Sequence, residues 1–145
     1  MVSTNPLSLI PSKLLNKGGE VDDSSVKSAS VVAIYFSAHW CPPCRGFTPL
    51  LAEAYEEWIK EKKSVEVVFV SSDRSDEEYK SYLATMPWVS VPHSDTSSVN
   101  ALKTHFKVSG IPTLIVLDKN GNIVDANARS TVTKNPTGAP DAWIK

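Results

Sequence analysis

Val31-Val32-Ala33-Ile34-Tyr35-Phe36-Ser37 leads through Ala38-His39-Trp40 into Cys41-Pro42-Pro43-Cys44, and this junction is the most informative part of the chain. The first seven residues form an apolar, β-rich run of the kind buried in a central parallel sheet. A helical pattern follows the cysteines. Phe47, Leu50, Leu51, Ala54, Tyr55, Trp58 and Ile59 recur at steps of three and four and predict one buried stripe, with Glu53, Glu56, Glu57 and Lys60 on the opposite face. Pro49 lacks a backbone donor and is expected to kink this helix.

Outward from the junction, 65–70 reads as a second buried strand. Ser75-Asp76-Glu77-Glu78 matches a capping box, opening a helix that buries Tyr79, Tyr82 and Leu83. A third helix is expected from about 96 to 106, with Val99, Leu102 and Phe106 inward. A strand at 113–118 follows, and the Asn120-Gly121 turn signal leads to a partner strand near 122–127. Residues 1–30, with Pro6, Pro11 and Gly18-Gly19, suggest short extended pieces and turns. This order is α/β, with a central mixed sheet flanked by helices, and 145 residues suit a single domain over 1–145.

Composition narrows the function classes. The chain is 41% hydrophobic and 21% charged, with a formal net charge of −1, which offers no general attraction to nucleic acid or an anionic membrane. No segment approaches the roughly 20 apolar residues needed to cross a bilayer. The start, Met1-Val2-Ser3-Thr4-Asn5-Pro6, lacks the charge and apolar run of a signal peptide. The expected setting is intracellular: the cytoplasm, with the nucleus also open to it.

Both cysteines of the chain fall in one four-residue window. In a reducing compartment such a pair points to redox chemistry or metal binding. A thiol attacks a disulfide as its thiolate, so the nucleophile needs a stabilised anion and solvent access. The start of a helix supplies free N–H groups and the positive end of the dipole. Cys41 occupies that start, and Cys44 sits one turn deeper on the same face. Pro42 and Pro43 fit the first turn, where missing donors cost nothing, and stiffen the pair. Cys41 is therefore expected to attack and Cys44 to resolve the mixed disulfide. A structural bridge over so short a loop would contribute little. Zinc is the better rival, but four ligands are wanted and only His39, His93 and His105 could join the pair.

Gly110-Ile111-Pro112-Thr113 places a proline at the opening of an inner strand, where it removes a ladder donor and needs a positional reason. Together with this segment, Trp40-Cys41-Pro42-Pro43-Cys44-Arg45-Gly46-Phe47-Thr48-Pro49, Met86-Pro87-Trp88, Val91-Pro92 and Ala128-Arg129 resemble the tryparedoxin and nucleoredoxin branch of the thioredoxin superfamily. The resemblance runs from about residue 30 to the C-terminus. It implies a thioredoxin fold and a monomeric protein-disulfide reductase that binds no cofactor or metal and works through the Cys41–Cys44 dithiol. Its substrates would be protein disulfides, peroxiredoxins among them, and its electrons would come from an upstream reductase or a low-molecular-weight dithiol. It further implies a cis Ile111–Pro112 bond beside the sulfurs, with Pro112 guarding them and Trp40 shielding the dithiol. Trp40, Ile111 and Arg129 would form the substrate-docking surface, with an extended segment pairing to the Ile111 backbone.

Two departures qualify the resemblance. Thioredoxin carries an aspartate six residues before its first cysteine, whereas this chain has Tyr35, a poor base whose hydroxyl could hold a bridging water. Asp73 is the nearest alternative proton acceptor, balanced against an ordinary solvated acid at a strand end. Kinetoplastid tryparedoxins typically carry Trp-Asp-Glu after the second strand, whereas this chain has Ser72-Asp73-Arg74, closer to the nucleoredoxin-like pattern. Arg74 would repel the cationic centre of trypanothione, so a nucleoredoxin-like reductase is favoured. The rivals are a true tryparedoxin passing electrons from trypanothione to peroxidases, and a redox-sensitive module that binds a signalling partner. His39, beside the dithiol, is a candidate to tune the Cys41 thiolate.

Overall fold

The computed structural model describes residues 6–144. Seven strands form one mixed sheet: β1 (Lys13–Asn16), β2 (Gly19–Asp22), β3 (Val31–Ser37), β4 (Val65–Ser71), β5 (Val89–Ser90), β6 (Thr113–Asp118) and β7 (Ile123–Asp125). Their order is β2-β1-β5-β4-β3-β6-β7, with β3 parallel to β4 and antiparallel to β6. A strand with neighbours on both sides and helices on both faces is removed from water along its length, and every residue of β3 and β4 is buried, most of them apolar. Among the described residues the α-helices are α1 (Ser24–Ser28), α2 (Pro42–Lys60), α3 (Asp76–Leu83), α4 (Thr96–His105), α5 (Ala128–Lys134) and α6 (Ala139–Trp143).

Alternation along β3 divides the interior into two layers. Val31, Ala33 and Tyr35 face the layer built by α2, α3, α5 and α6, together with Leu51, Trp58, Phe69 and Trp88. Val32, Ile34 and Phe36 face the opposite layer, with Val70, Leu102 and Ile115. Helix α2 runs unbroken through Pro49 and buries Phe47, Leu51, Ala54, Tyr55 and Trp58. Ile59, expected in the buried stripe, is 50% exposed: it follows Trp58 by one residue, a step of about 100°, and falls off the inward face.

Elements at both ends go beyond the sequence reading. The early extended pieces are a hairpin, β1–β2, joined to the sheet through Leu15 and Ser90 of the two-residue β5. The β6–β7 hairpin is not terminal, because α5 and α6 follow it and pack on α2. There the Trp58 and Trp143 rings meet edge to face at 5.4 Å, and the Trp58 indole N–H donates to the Pro136 carbonyl at 2.8 Å. The capping box forms in part: the Ser75 hydroxyl accepts the Glu78 N–H at 3.1 Å and lies 3.4 Å from the Glu78 carboxylate.

Candidate active site

The chain leaves the C-terminal end of β3 and turns at once into α2. The Cys41 N–H closes the turn on the Ala38 carbonyl at 3.2 Å, and the Cys41 carbonyl accepts the first helical bond from Arg45 at 3.1 Å. Cys41 is thus the N-cap, with extended backbone angles (φ −92°, ψ 112°), and Pro42 and Pro43 fill the next two positions. Because neither proline has an N–H, Cys44 supplies the first donor of the helix. The anion-stabilising end expected from sequence therefore narrows to the dipole and that one amide.

The two cysteines are free and differ in setting. Cys41 is 5% exposed and its thiol points at the Ile111 carbonyl, 3.8 Å away. The open nucleophile expected from sequence is thus a thiol tucked under a rim, reached past the neighbouring Trp40, which is 41% exposed. Cys44 is fully buried. Burial pushes its thiol up to about 11, and the adjacent Cys41 pushes the same way, while the Ser37 hydroxyl and the Ala38 backbone act in the opposite direction. Ile111–Pro112 is a cis bond, and Ile111 packs against Ala38, Cys41 and Cys44, so the segment leading into β6 closes one side of the pair.

The segment after β4 closes another side. The Asp73 carboxylate accepts the His39 N–H at 2.7 Å with one oxygen and the Ser71 hydroxyl at 2.7 Å with the other. The Trp40 indole N–H donates to the Ser72 carbonyl at 3.0 Å, and the Arg74 guanidinium lies over the Trp40 ring, 4.8 Å from its centre. Asp73 is 7% exposed, so it is not a solvated acid; its two oxygens clamp the loop carrying His39 and Trp40. The His39 ring meets Tyr82 at 5.4 Å, and its N–H serves the clamp. Arg129, expected at the rim, lies over Phe47, one turn along α2 from Cys44, with its guanidinium 6.0 Å from the ring centre.

Tyr35 points into the layer beneath α2, where it joins three hydroxyls that the sequence reading did not single out. Its oxygen lies 2.6 Å from the Thr48 hydroxyl, Thr48 bonds Tyr82, and Tyr82 lies 2.7 Å from Ser37. Burial disfavours the phenolate anions and raises the pKa of both phenols above the ordinary value. One signal for this cluster was present in the sequence: Ser37 and Thr48 are polar residues at inward positions of an otherwise apolar strand and stripe. Among the described residues, no group of three or more His, Cys, Asp or Glu side chains is arranged to hold a metal ion.

Comparison with known proteins agrees with this geometry. A family profile described as Thioredoxin-like matches residues 29–123. Tryparedoxin of Trypanosoma brucei brucei is 44% identical over 131 residues, 90% of each chain. Nucleoredoxin of Mus musculus is 42% identical over 135 residues, 93% of this chain but only 31% of its own length. The chain thus spans about a third of the nucleoredoxins it matches. Native tryparedoxin I from Crithidia fasciculata superposes with a TM-score of 0.84 at 42% identity, covering 93% of this chain and 94% of that one. A tryparedoxin II structure complexed with glutathionylspermidine superposes with a TM-score of 0.84 at 36% identity, covering 93% and 95%.

Proposed function

The chain belongs to the thioredoxin-like family of thiol–disulfide oxidoreductases, on the branch that holds the tryparedoxins and nucleoredoxins, and from that premise we propose that it reduces protein disulfides. The observation that carries this reading is the asymmetry of the pair: Cys41 caps α2 at the rim, facing the Ile111 carbonyl, while Cys44 lies fully buried one turn deeper. Cys41, as thiolate, attacks one sulfur of the substrate disulfide. That bond breaks, and the departing sulfur takes up a proton. Cys44 then loses its proton and attacks the Cys41 sulfur. The Cys41–Cys44 bond forms, the second substrate thiol leaves, and two electrons have passed to the substrate.

Trp40 and Ile111 frame the approach to Cys41, and an extended partner segment pairs with the Ile111 backbone by strand addition. Pro112, through its cis bond, holds Ile111 against the pair, Pro42 and Pro43 hold the first turn, and Arg129 extends the docking surface along α2. The reduced dithiol is restored by an upstream reductase or a small dithiol. The protein acts as a monomer with no bound cofactor, in the reducing cytoplasm or nucleus.

A second reading has specific support. The 44% identity to a tryparedoxin over nine-tenths of both chains favours electron transfer from a polyamine-bridged dithiol to peroxidases. Arg74, exposed above Trp40, argues for an anionic or neutral donor instead. Insulin-disulfide reduction driven by dithiothreitol, glutathione or trypanothione tests both readings. Turnover with dithiothreitol, and weaker coupling to trypanothione than to glutathione, is expected. Absence of insulin reduction with every donor would overturn the assignment.

A further inference from the structure

We propose that Ser37, Tyr82, Thr48 and Tyr35 form one hydroxyl cluster that serves the resolving step, with Ser37 donating to the Cys44 sulfur as it becomes a thiolate and the other three holding Ser37 in that role. The proposal rests on the reading of Cys44 as the resolving thiol. Ser37, fully buried like Cys44, is the hydroxyl assigned to the reacting sulfur and already opposes the rise of its thiol; Tyr82, Thr48, which lies one turn from Cys44 on α2, and Tyr35 are positioning residues.

The cluster is assembled from three elements that meet beneath the dithiol. Ser37 and Tyr35 lie on the same face of β3, Thr48 is one turn beyond Cys44 on α2, and Tyr82 comes from α3. None of the four is more than 3% exposed. Hydroxyls removed from water are kept where each has a partner, and here the partners are chiefly one another. The links run Ser37 to Tyr82 at 2.7 Å, Tyr82 to Thr48, and Thr48 to Tyr35 at 2.6 Å, and Tyr35 also faces Ser37 across the cluster. Beyond Tyr35 stand the rings of Phe47, Phe69 and Trp88, at 5.8, 6.3 and 6.0 Å, which offer no strong acceptor.

The charged and titratable groups around the cluster leave one destination for its hydrogens. From the loop after β3, His39 presents its ring face to Tyr82. After β4, Asp73 has its carboxylate occupied by the His39 N–H and the Ser71 hydroxyl, and Lys103 of α4 faces Asp73. From α2, Cys44 lies between Cys41 and the cluster, with Cys41 directed to the Ile111 carbonyl. Both phenols keep their protons far into the alkaline range because burial disfavours their anions. The anion that the resolving step requires is that of Cys44, the attacking thiol. The cluster has no outlet to water at Tyr35, so it does not carry the Cys44 proton away. That proton is the one taken up by the first substrate sulfur, released as a thiolate when Cys41 attacks, and the hydroxyls turn toward the charge that remains on Cys44.

The test uses 5,5′-dithiobis(2-nitrobenzoate) on the reduced protein. Attack by Cys41 releases the first thionitrobenzoate, and attack by Cys44 on the resulting mixed disulfide releases the second, so the absorbance rises in two phases. In Ser37→Ala, loss of a donor to the anion raises the Cys44 midpoint, and about tenfold less thiolate is present at neutral pH. The less stabilised thiolate is the stronger nucleophile, so the net loss in the second phase is about threefold at pH 7, with a faster plateau at high pH. Tyr82→Phe gives the same crossing of the two profiles with a smaller shift. The first phase is unchanged in both variants and reports that the fold and the Cys41 reaction survive. A second-phase profile identical to wild type in Ser37→Ala, or one slowed equally at every pH, would overturn the proposal. Absence of the second phase in wild type would overturn the resolving role of Cys44 itself.

Discussion

The carboxylate of Asp73 accepts the backbone N–H of His39 at 2.7 Å, so the residue that follows β4 fixes the loop that follows β3. The two strands run parallel in register, Ser37 opposite Ser71, which brings their C-terminal ends together. The same link continues through the Trp40 indole to Ser72. Ser71-Ser72-Asp73-Arg74 is in this way a brace for the residues that precede Cys41.

Asp73→Ala removes the acceptor of one backbone N–H and one buried hydroxyl. A destabilisation of about 1–3 kcal/mol is expected for groups left unsatisfied in this way. In a chain of this size each kcal/mol lowers the melting temperature by about 2–4 °C, which calorimetry reads directly. The Cys44 phase of the two-step thiol assay should keep its pH midpoint in Asp73→Asn. An upward shift there would make Asp73 the proton acceptor of Cys44 and not a brace.

The unequal setting of the two sulfurs leads to unequal variants. Cys41→Ser should abolish turnover of insulin disulfides. Cys44→Ser should retain one attack and accumulate a mixed disulfide, visible by mass spectrometry as one protein joined to one substrate. Sustained turnover by Cys44→Ser with a dithiol donor would contradict the two-cysteine cycle.

Alkaline pH should destabilise the reduced protein. Cys44 is held to about 11, and Tyr35, Tyr55, Tyr79 and Tyr82 are likewise raised, each chiefly by burial. These groups bind their protons more tightly folded than unfolded. Their contribution is complete below the ordinary thiol and phenol values, near 9 to 10, and falls as pH rises above them. Urea denaturation at pH 7, 9 and 10.5 should show a falling midpoint. Cys44→Ala should fall less steeply, and a flat midpoint in wild type would show that these groups titrate alike in both states.

Charge reversal at the rim should change which donors are used. In Arg74→Glu, a polycationic dithiol should gain and a dicarboxylate thiol should lose, each by a few-fold in kcat/KM and less at high salt, as expected for an exposed charge. Arg74→Gln should fall between the two. Equal rates for all three proteins with both donors would remove Arg74 from the docking surface.

The junction of β3 and α2 was legible because its signals are local. A continuous apolar run, two prolines at a helix start and an i, i+3 cysteine pair all lie within fourteen residues. The short outer elements were not. β1 and β2 carry only Leu14, Leu15 and Val21 as apolar residues, β5 has two residues, and α5 and α6 offer too few inward positions for a helical period to show. The surroundings of the cysteines were hidden for a different reason. Tyr82 reaches Ser37 from 45 residues away and Asp73 reaches His39 from 34, distances bridged only by strand register and helix packing.

The strands at the two rims of the sheet bear on selectivity for partners. A protein that recruits extended segments through backbone hydrogen bonds risks having them add to its own sheet, or adding to its own copies. Here one rim is the four-residue β2, with Glu20 and Asp22 in its sequence, and the other is the three-residue β7, entered through a register irregularity at Val116 and Leu117. Short, charged or offset rims are poor templates for a further strand. Unfolded segments with exposed backbone therefore find a poor foothold at the periphery, and, on the function proposed above, a passing chain would dwell only beside Trp40 and Ile111, where its sulfur can be found.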